Sequence, residues 1–139
     1  MRQGTTLIEI SVVVGMLGLV AGFTFPRFGS YRDRVAVDAA ASSTMSLLAT
    51  ARQSALRRAT RTAVHLDSTT ATVLLIAGID TLARRSLREV HGVEFSTTRD
   101  SIAFASTGLG YGAANTQIVL RRGSATATIA VSRLGRARR

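Results

Sequence analysis

The chain has 139 residues and no cysteine, which excludes a disulfide framework and any Cys-based metal or redox centre. Its 18 basic residues are all arginine and face 8 acids, for a formal net charge of +10. The lack of lysine removes Walker-type phosphate binding and Schiff-base chemistry, while the surplus of arginine reads either as a solvated surface or as attraction to an anionic partner.

The N-terminal stretch is apolar. Ile10 to Pro26 contains no charge, and extension back to Thr5 adds only Glu9 as an interruption. As a helix the longer run spans about 33 Å, enough to cross a bilayer core. A buried soluble helix is one alternative. A secretory signal peptide is another, but it fits poorly: the positive leader is only Met1-Arg2-Gln3-Gly4, an acid sits inside the apolar region, and no small-x-small site closes it. A carboxylate deep in lipid costs about 2.5–3.5 kcal/mol and so asks for a partner. Cleavage between Gly4 and Thr5 would supply one, because it creates a free amine at Thr5. Glu9, four residues on, could meet its own amine on the same helix face or that of a neighbouring copy.

"GTTLIE" followed by an apolar helix resembles the leader of type IV pilins and of type II secretion pseudopilins. In that superfamily a prepilin peptidase cuts after the glycine and methylates the new N-terminus. The resemblance implies that Gly4 precedes the cut, that Thr5 is methylated, and that Glu9 is the assembly glutamate. It also places Pro26 where the superfamily has a helix-kinking proline. Thr5 departs from the usual first-position phenylalanine.

Beyond Pro26, whose missing N–H and ring predict a kink over residues 24–27, the pattern stays helical. Tyr31 to Arg61 holds neither glycine nor proline. Ala41, Met45, Leu48, Ala51, Ala55 and Ala59 recur at three- and four-residue steps, which predicts a small-residue face lying on a sheet. From Thr62 the period shifts toward two. "TAVHLD", "TATVLLIAG", "TLARRSLREV", "VEFSTT", "SIAFAS", "TQIVLRR" and "ATATIAVS" read as about seven antiparallel strands separated by turn residues. The expected fold is α+β: one long helix, membrane-spanning in its first half, packed on an antiparallel sheet.

Catalytic patterns are sparse. His65 and His91 are the only histidines and stand alone, no metal-ligand spacing occurs, and no nucleophile elbow is present. "TGLGYGA" carries Gly108, Gly110 and Gly112 but precedes a strand rather than a helix, so it predicts a mobile turn and not a phosphate cradle. Tyr111 at its tip is a candidate partner contact. The reading is a non-enzyme with no metal, cofactor or small-molecule substrate.

The last segment, "RRGSATATIAVSRLGRARR", holds six arginines and no acid. It is either a solvated, frayed terminus or a recognition surface. With Phe104, Gly108, the strands around Ile118 and Ile129, and Gly135-Arg136-Ala137-Arg138, it resembles the C-terminal signature of one pilin-like family. That family comprises the H-type minor pseudopilin of type II secretion and the T-type minor pilin (GspH/FimT). The resemblance implies a division into a leader (1–4), a transmembrane and assembly helix (5–28) and a periplasmic domain (29–139) on a single-pass inner-membrane protein. It implies partners among other pilins or pseudopilins and the prepilin peptidase. It implies one of two roles: a minor subunit of a type II secretion pseudopilus, or a minor pilin that captures DNA through the Gly-Arg-x-Arg end. For the second, Arg136 and Arg138 would clamp phosphates, with Arg121, Arg122, Arg133 and Arg139 adding to the field.

Overall fold

A computed structural model describes residues 6–111 and 115–139, with the side chains of residues 23–27 outside the description. Gly4 and Thr5 therefore lie outside the described residues, as does the side chain of Pro26. The chain divides into two compact units, Met1–Arg32 and Asp33–Arg139.

One helix, α1 (Leu7–Arg58), runs through both. Its start is capped by Thr6, whose hydroxyl accepts the Glu9 amide at 3.4 Å. In the first unit its apolar side chains are uncovered: Leu7, Ile8, Ile10, Val12 and their successors to Val20 are all exposed. Among the described residues no helix is long and apolar enough to cross a membrane.

In the second unit α1 buries Val37, Ala40, Ala41, Thr44, Leu47, Leu48, Ala51 and Ala55, a stripe at helical spacing. The predicted small-residue face is thus the inner one, with two adjustments: Met45 is half-buried, and Ala59 lies past the helix end with φ +48. Four alanines on this face leave room for the large side chains of two sheets.

The strands are β1 (Thr62–Asp67), β2 (Thr72–Ala77), β3 (Asp80–Ser86), β4 (Glu94–Thr97), β5 (Ser101–Phe104), β6 (Gly110–Tyr111), β7 (Thr116–Arg122), β8 (Ala125–Val131) and β9 (Ala137–Arg138). They form two antiparallel sheets, ordered β3-β2-β1-β5-β6 and β4-β7-β8-β9. Alternation sends Val64, Leu66, Val73, Leu75, Ile102 and Phe104 from the first sheet, and Ile118, Leu120, Ile129 and Val131 from the second, into one core with α1. Thr62 ties sheet to helix, its hydroxyl donating to the Ala51 carbonyl at 2.8 Å.

Three expectations are corrected. The expected count of about seven strands becomes nine among the described residues, because β6 and β9 are too short to leave a period-two pattern. "TLARRSLREV" is not one strand: β3 ends at Ser86, which caps a short helix α2 (Leu87–His91) by accepting the Glu89 amide, and Gly92 closes it in the left-handed conformation. The glycine segment is not a free turn as far as Tyr111, since Gly110–Tyr111 pairs with Ala103–Phe104.

Candidate functional site: the arginine-bearing edge of the second sheet

The tail is an ordered strand, not a frayed end. After β8 the chain turns over residues 132–135. Gly135 N–H donates to the Ser132 carbonyl at 2.8 Å, Ser132 N–H to the Arg136 carbonyl at 2.9 Å, and Arg136 N–H to the Ser132 hydroxyl at 3.2 Å. β9 then pairs with Ala130 and Val131.

Glycines hold this turn against the first sheet. Gly135 has φ +75, and a Cβ there would fall 2.6 Å from Cε1 of Phe104. One on Gly110 would meet the Arg133 carbonyl at 2.7 Å, and one on Gly108 would meet Leu56 at 2.9 Å. Contacts this close leave no room for a side chain, so Phe104, Gly108, Gly110 and Gly135 act as packing residues. They stiffen the segment that carries the arginines.

Of the six arginines of the tail region, the three on strands separate by parity. Arg121 and Arg138 lie on the outer face of the second sheet: Arg121 is exposed on β7, and Arg138 pairs with exposed Ala130, whose own partner is Gln117. Arg122, one residue on, points the other way. Its Nε lies 3.0 Å from Asp33 on α1, and its Nη1 donates to the His91 carbonyl. It belongs to the packing between helix and sheet, which corrects its assignment to an anion-binding field. Gly92 and Gly123 make room for this arrangement, since a Cβ on either would crowd Arg122 or Asp33. Arg139 is likewise paired with Asp38. Arg121, Arg133, Arg136 and Arg138 are exposed and form no ion pair among the described residues.

Arg136 and Arg138 stand between two grooves. One, of about 410 Å³, is lined by Asn115, Gln117 and Ser132; the other, of about 450 Å³, lies between β9 and α1 and adds Arg52 to the same field. Arg52 falls off the helix's small-residue stripe in the sequence, and only the return of β9 alongside α1 shows what it faces. Arg61, just before β1, stacks over Tyr111 at 4.6 Å from the ring centre. His65 is exposed on β1, and among the described residues no group of three or more metal-ligating side chains occurs.

At the other end of the chain Glu9 occupies the first turn of α1. Its carboxylate has no hydrogen bond or ion pair among the described residues. Its position favours the helix dipole. Only its amide, held by Thr6, takes part in the cap.

A family model for the type II transport protein GspH matches residues 40–135. Two kinds of solved structure share the fold. The type IV minor pilin FimU of Pseudomonas aeruginosa is 13% identical, with a TM-score of 0.62 over 73% of this chain and 86% of that one. The minor pseudopilin EpsH of the Vibrio cholerae type 2 secretion system is 12% identical, with a TM-score of 0.60 over 73% of this chain and 94% of that one. No curated protein matches.

Proposed function

The chain belongs to the GspH family, and from that premise we propose that it is a minor pseudopilin of a type II secretion system. The family supports a minor pilin-like subunit, a structural part of a type II secretion system or of a type IV pilus. In the finer reading a prepilin peptidase cuts after Gly4 and methylates Thr5. The N-terminal helix stays in the inner membrane until assembly, and the domain from residue 29 stands in the periplasm.

The observation that carries this reading is the contrast between the two units. Asp33–Arg139 has a core of its own, whereas α1 from Leu7 to Val20 leaves every large apolar side chain exposed. Such a surface requires hydrocarbon or other helices around it. Glu9, whose carboxylate has no partner among the described residues, is then available to the amine of a neighbouring subunit. Co-expression with a prepilin peptidase tests the reading. The intact mass should fall by the first four residues, and retention of Met1 to Gly4 would overturn it.

A second reading rests on a different observation: Arg133, Arg136 and Arg138 at the stiffened edge, and Arg121 on the interior strand β7, are exposed and form no ion pair among the described residues. They suit capture of DNA through its backbone, which would be sequence-blind and salt-sensitive, with Kd about 10⁻⁴–10⁻⁶ M. Replacing Arg136 and Arg138 with Gln in the full chain, held in neutral detergent, should abolish a low-salt gel shift of duplex DNA. Absence of any shift by the unaltered protein would leave the secretion role alone.

A further inference from the structure

The groove between β9 and α1 has a property that neither role uses. Met45, Leu48, Ala49 and Leu56 of α1 make an apolar floor, Arg52 stands beside it, and no acidic residue lines it. Its other wall is the edge strand of the second sheet. The hydrogen-bond pattern decides which backbone groups look into it. Ser132 N–H donates to the Arg136 carbonyl, while Arg136 N–H turns to the Ser132 hydroxyl. The first of these bonds spans the residues that flank Val131–Ala137, which marks Val131–Ala137 as a non-hydrogen-bonded antiparallel pair. The N–H and C=O of Ala137 therefore point away from β8 toward the open edge. Outside the sheet ladder neither makes a backbone hydrogen bond among the described residues.

We propose that this groove receives an extended acidic segment of a partner protein, added as a fifth strand beside β9. The free N–H and C=O of Ala137 supply main-chain pairing. Alternate side chains of the segment drop onto Met45 and Leu56, the intervening carboxylates meet Arg138 in charge-assisted bonds, and Arg52 on the α1 side adds to the attracting field. Charge selects the occupant: an arginine-walled groove on a chain of net charge +10 repels a second copy and attracts an acidic strand. A phosphate could take the Ala137 N–H but leaves its C=O unmet, whereas a strand pairs with both, and the groove has no aromatic side chain on which a base could stack. The site suits a secretion subunit or a DNA-capturing one, although in the latter the segment and DNA would share Arg138.

The test uses the full chain in neutral detergent micelles and a capped, fluorescent Glu-Val-Glu-Val-Glu-Val peptide read by anisotropy. Saturable binding is expected. Arg52→Glu should weaken it about tenfold. Ala49→Trp, which fills the groove from an exposed helix position without altering charge, should abolish it. A peptide of the same charge with N-methylated valine amides should bind at least about tenfold more weakly, because strand pairing is lost. No binding at about 1 mM peptide overturns the proposal. Equal binding of the N-methylated peptide overturns it too, by reducing the interaction to diffuse charge. So does a groove that takes oligo-dT but not the peptide, with the oligo-dT binding lost in Ala49→Trp.

Discussion

Gly135 lies against the ring of Phe104, so close that a Cβ on the glycine would fall 2.6 Å from Cε1. The contact joins the last turn of the chain to the core strand β5 and lets β9 fold back along β8. In the Gly-Arg-x-Arg ending the glycine and the arginines thus do separate things. The glycine positions, and the arginines face solvent.

Gly135→Ala should therefore destabilise the fold by about 2–4 kcal/mol, the sum of a left-handed backbone penalty and overpacking against Phe104. Arg136→Gln and Arg138→Gln should each stay within about 0.5 kcal/mol of the parent, as exposed unpaired positions do. Urea denaturation separates the two classes. A neutral Gly135→Ala would mean that the turn packs loosely.

Arg121 and Arg122 are neighbours in the chain with opposite surroundings. Arg122→Gln strips the half-buried Asp33 of its cation and the His91 carbonyl of a donor, and should cost about 1–2 kcal/mol after allowance for partial solvent screening. Arg121→Gln should change stability by less than about 0.5 kcal/mol. If DNA binds, only Arg121→Gln should weaken it. Paired melting curves and gel shifts check both halves.

Asp67, at the end of β1, organises the turn into β2. It accepts the Thr70 hydroxyl at 2.7 Å and the Thr69 amide at 2.9 Å. The Thr70 side-chain bond above all, with the backbone bonds, holds its carboxyl below the ordinary carboxylate value. A depressed folded-state value gives stability that is complete above the unfolded pKa of about 3.9 and is lost as pH falls through the lower folded one. Asp67→Asn should melt below the parent at neutral pH, and the gap should close below about pH 4. A gap that persists to lower pH would assign the turn's stability to something other than this carboxylate.

The Glu9 side chain has two candidate uses, a favourable charge at the helix N-terminus and pairing with a neighbouring subunit's amine, and Thr6, whose loss also weakens that terminus, tells them apart. Thr6→Ala removes the cap, worth about 1 kcal/mol of helix stability, and should leave filament incorporation intact. Glu9→Ala should insert into membranes yet fail to incorporate. Equal incorporation of both variants, measured by co-purification with the filament, would reduce Glu9 to a charge that favours the helix terminus.

Much of this architecture was legible in local pattern. The stripe from Ala41 to Ala55 specified which side of α1 is buried, and the runs beginning at Thr62, Thr116 and Ala125 became β1, β7 and β8 at those residues. α2 was missed although "SLREVHG" carries a cap, a Glu three residues later and a terminating glycine. Its leucine and valine fitted a strand equally well, and the cap decided. β6 and β9 are two residues each and exist only because a partner strand is alongside.

The primary structure was sufficient for an apolar N-terminal helix, an amphipathic continuation, alternating strands and the likeness to pilin-like subunits, because those features follow from spacing along the chain. It could not say which arginines are free. Arg122 meets Asp33, and Arg139 meets Asp38, across a chain separation of 101 residues for the latter pair. Charge pairing at that range depends on how sheets close over a helix. Folding brings the acids of α1 to two arginines, leaves Arg121, Arg133, Arg136 and Arg138 to the solvent, and sets Arg52 beside the open edge of β9.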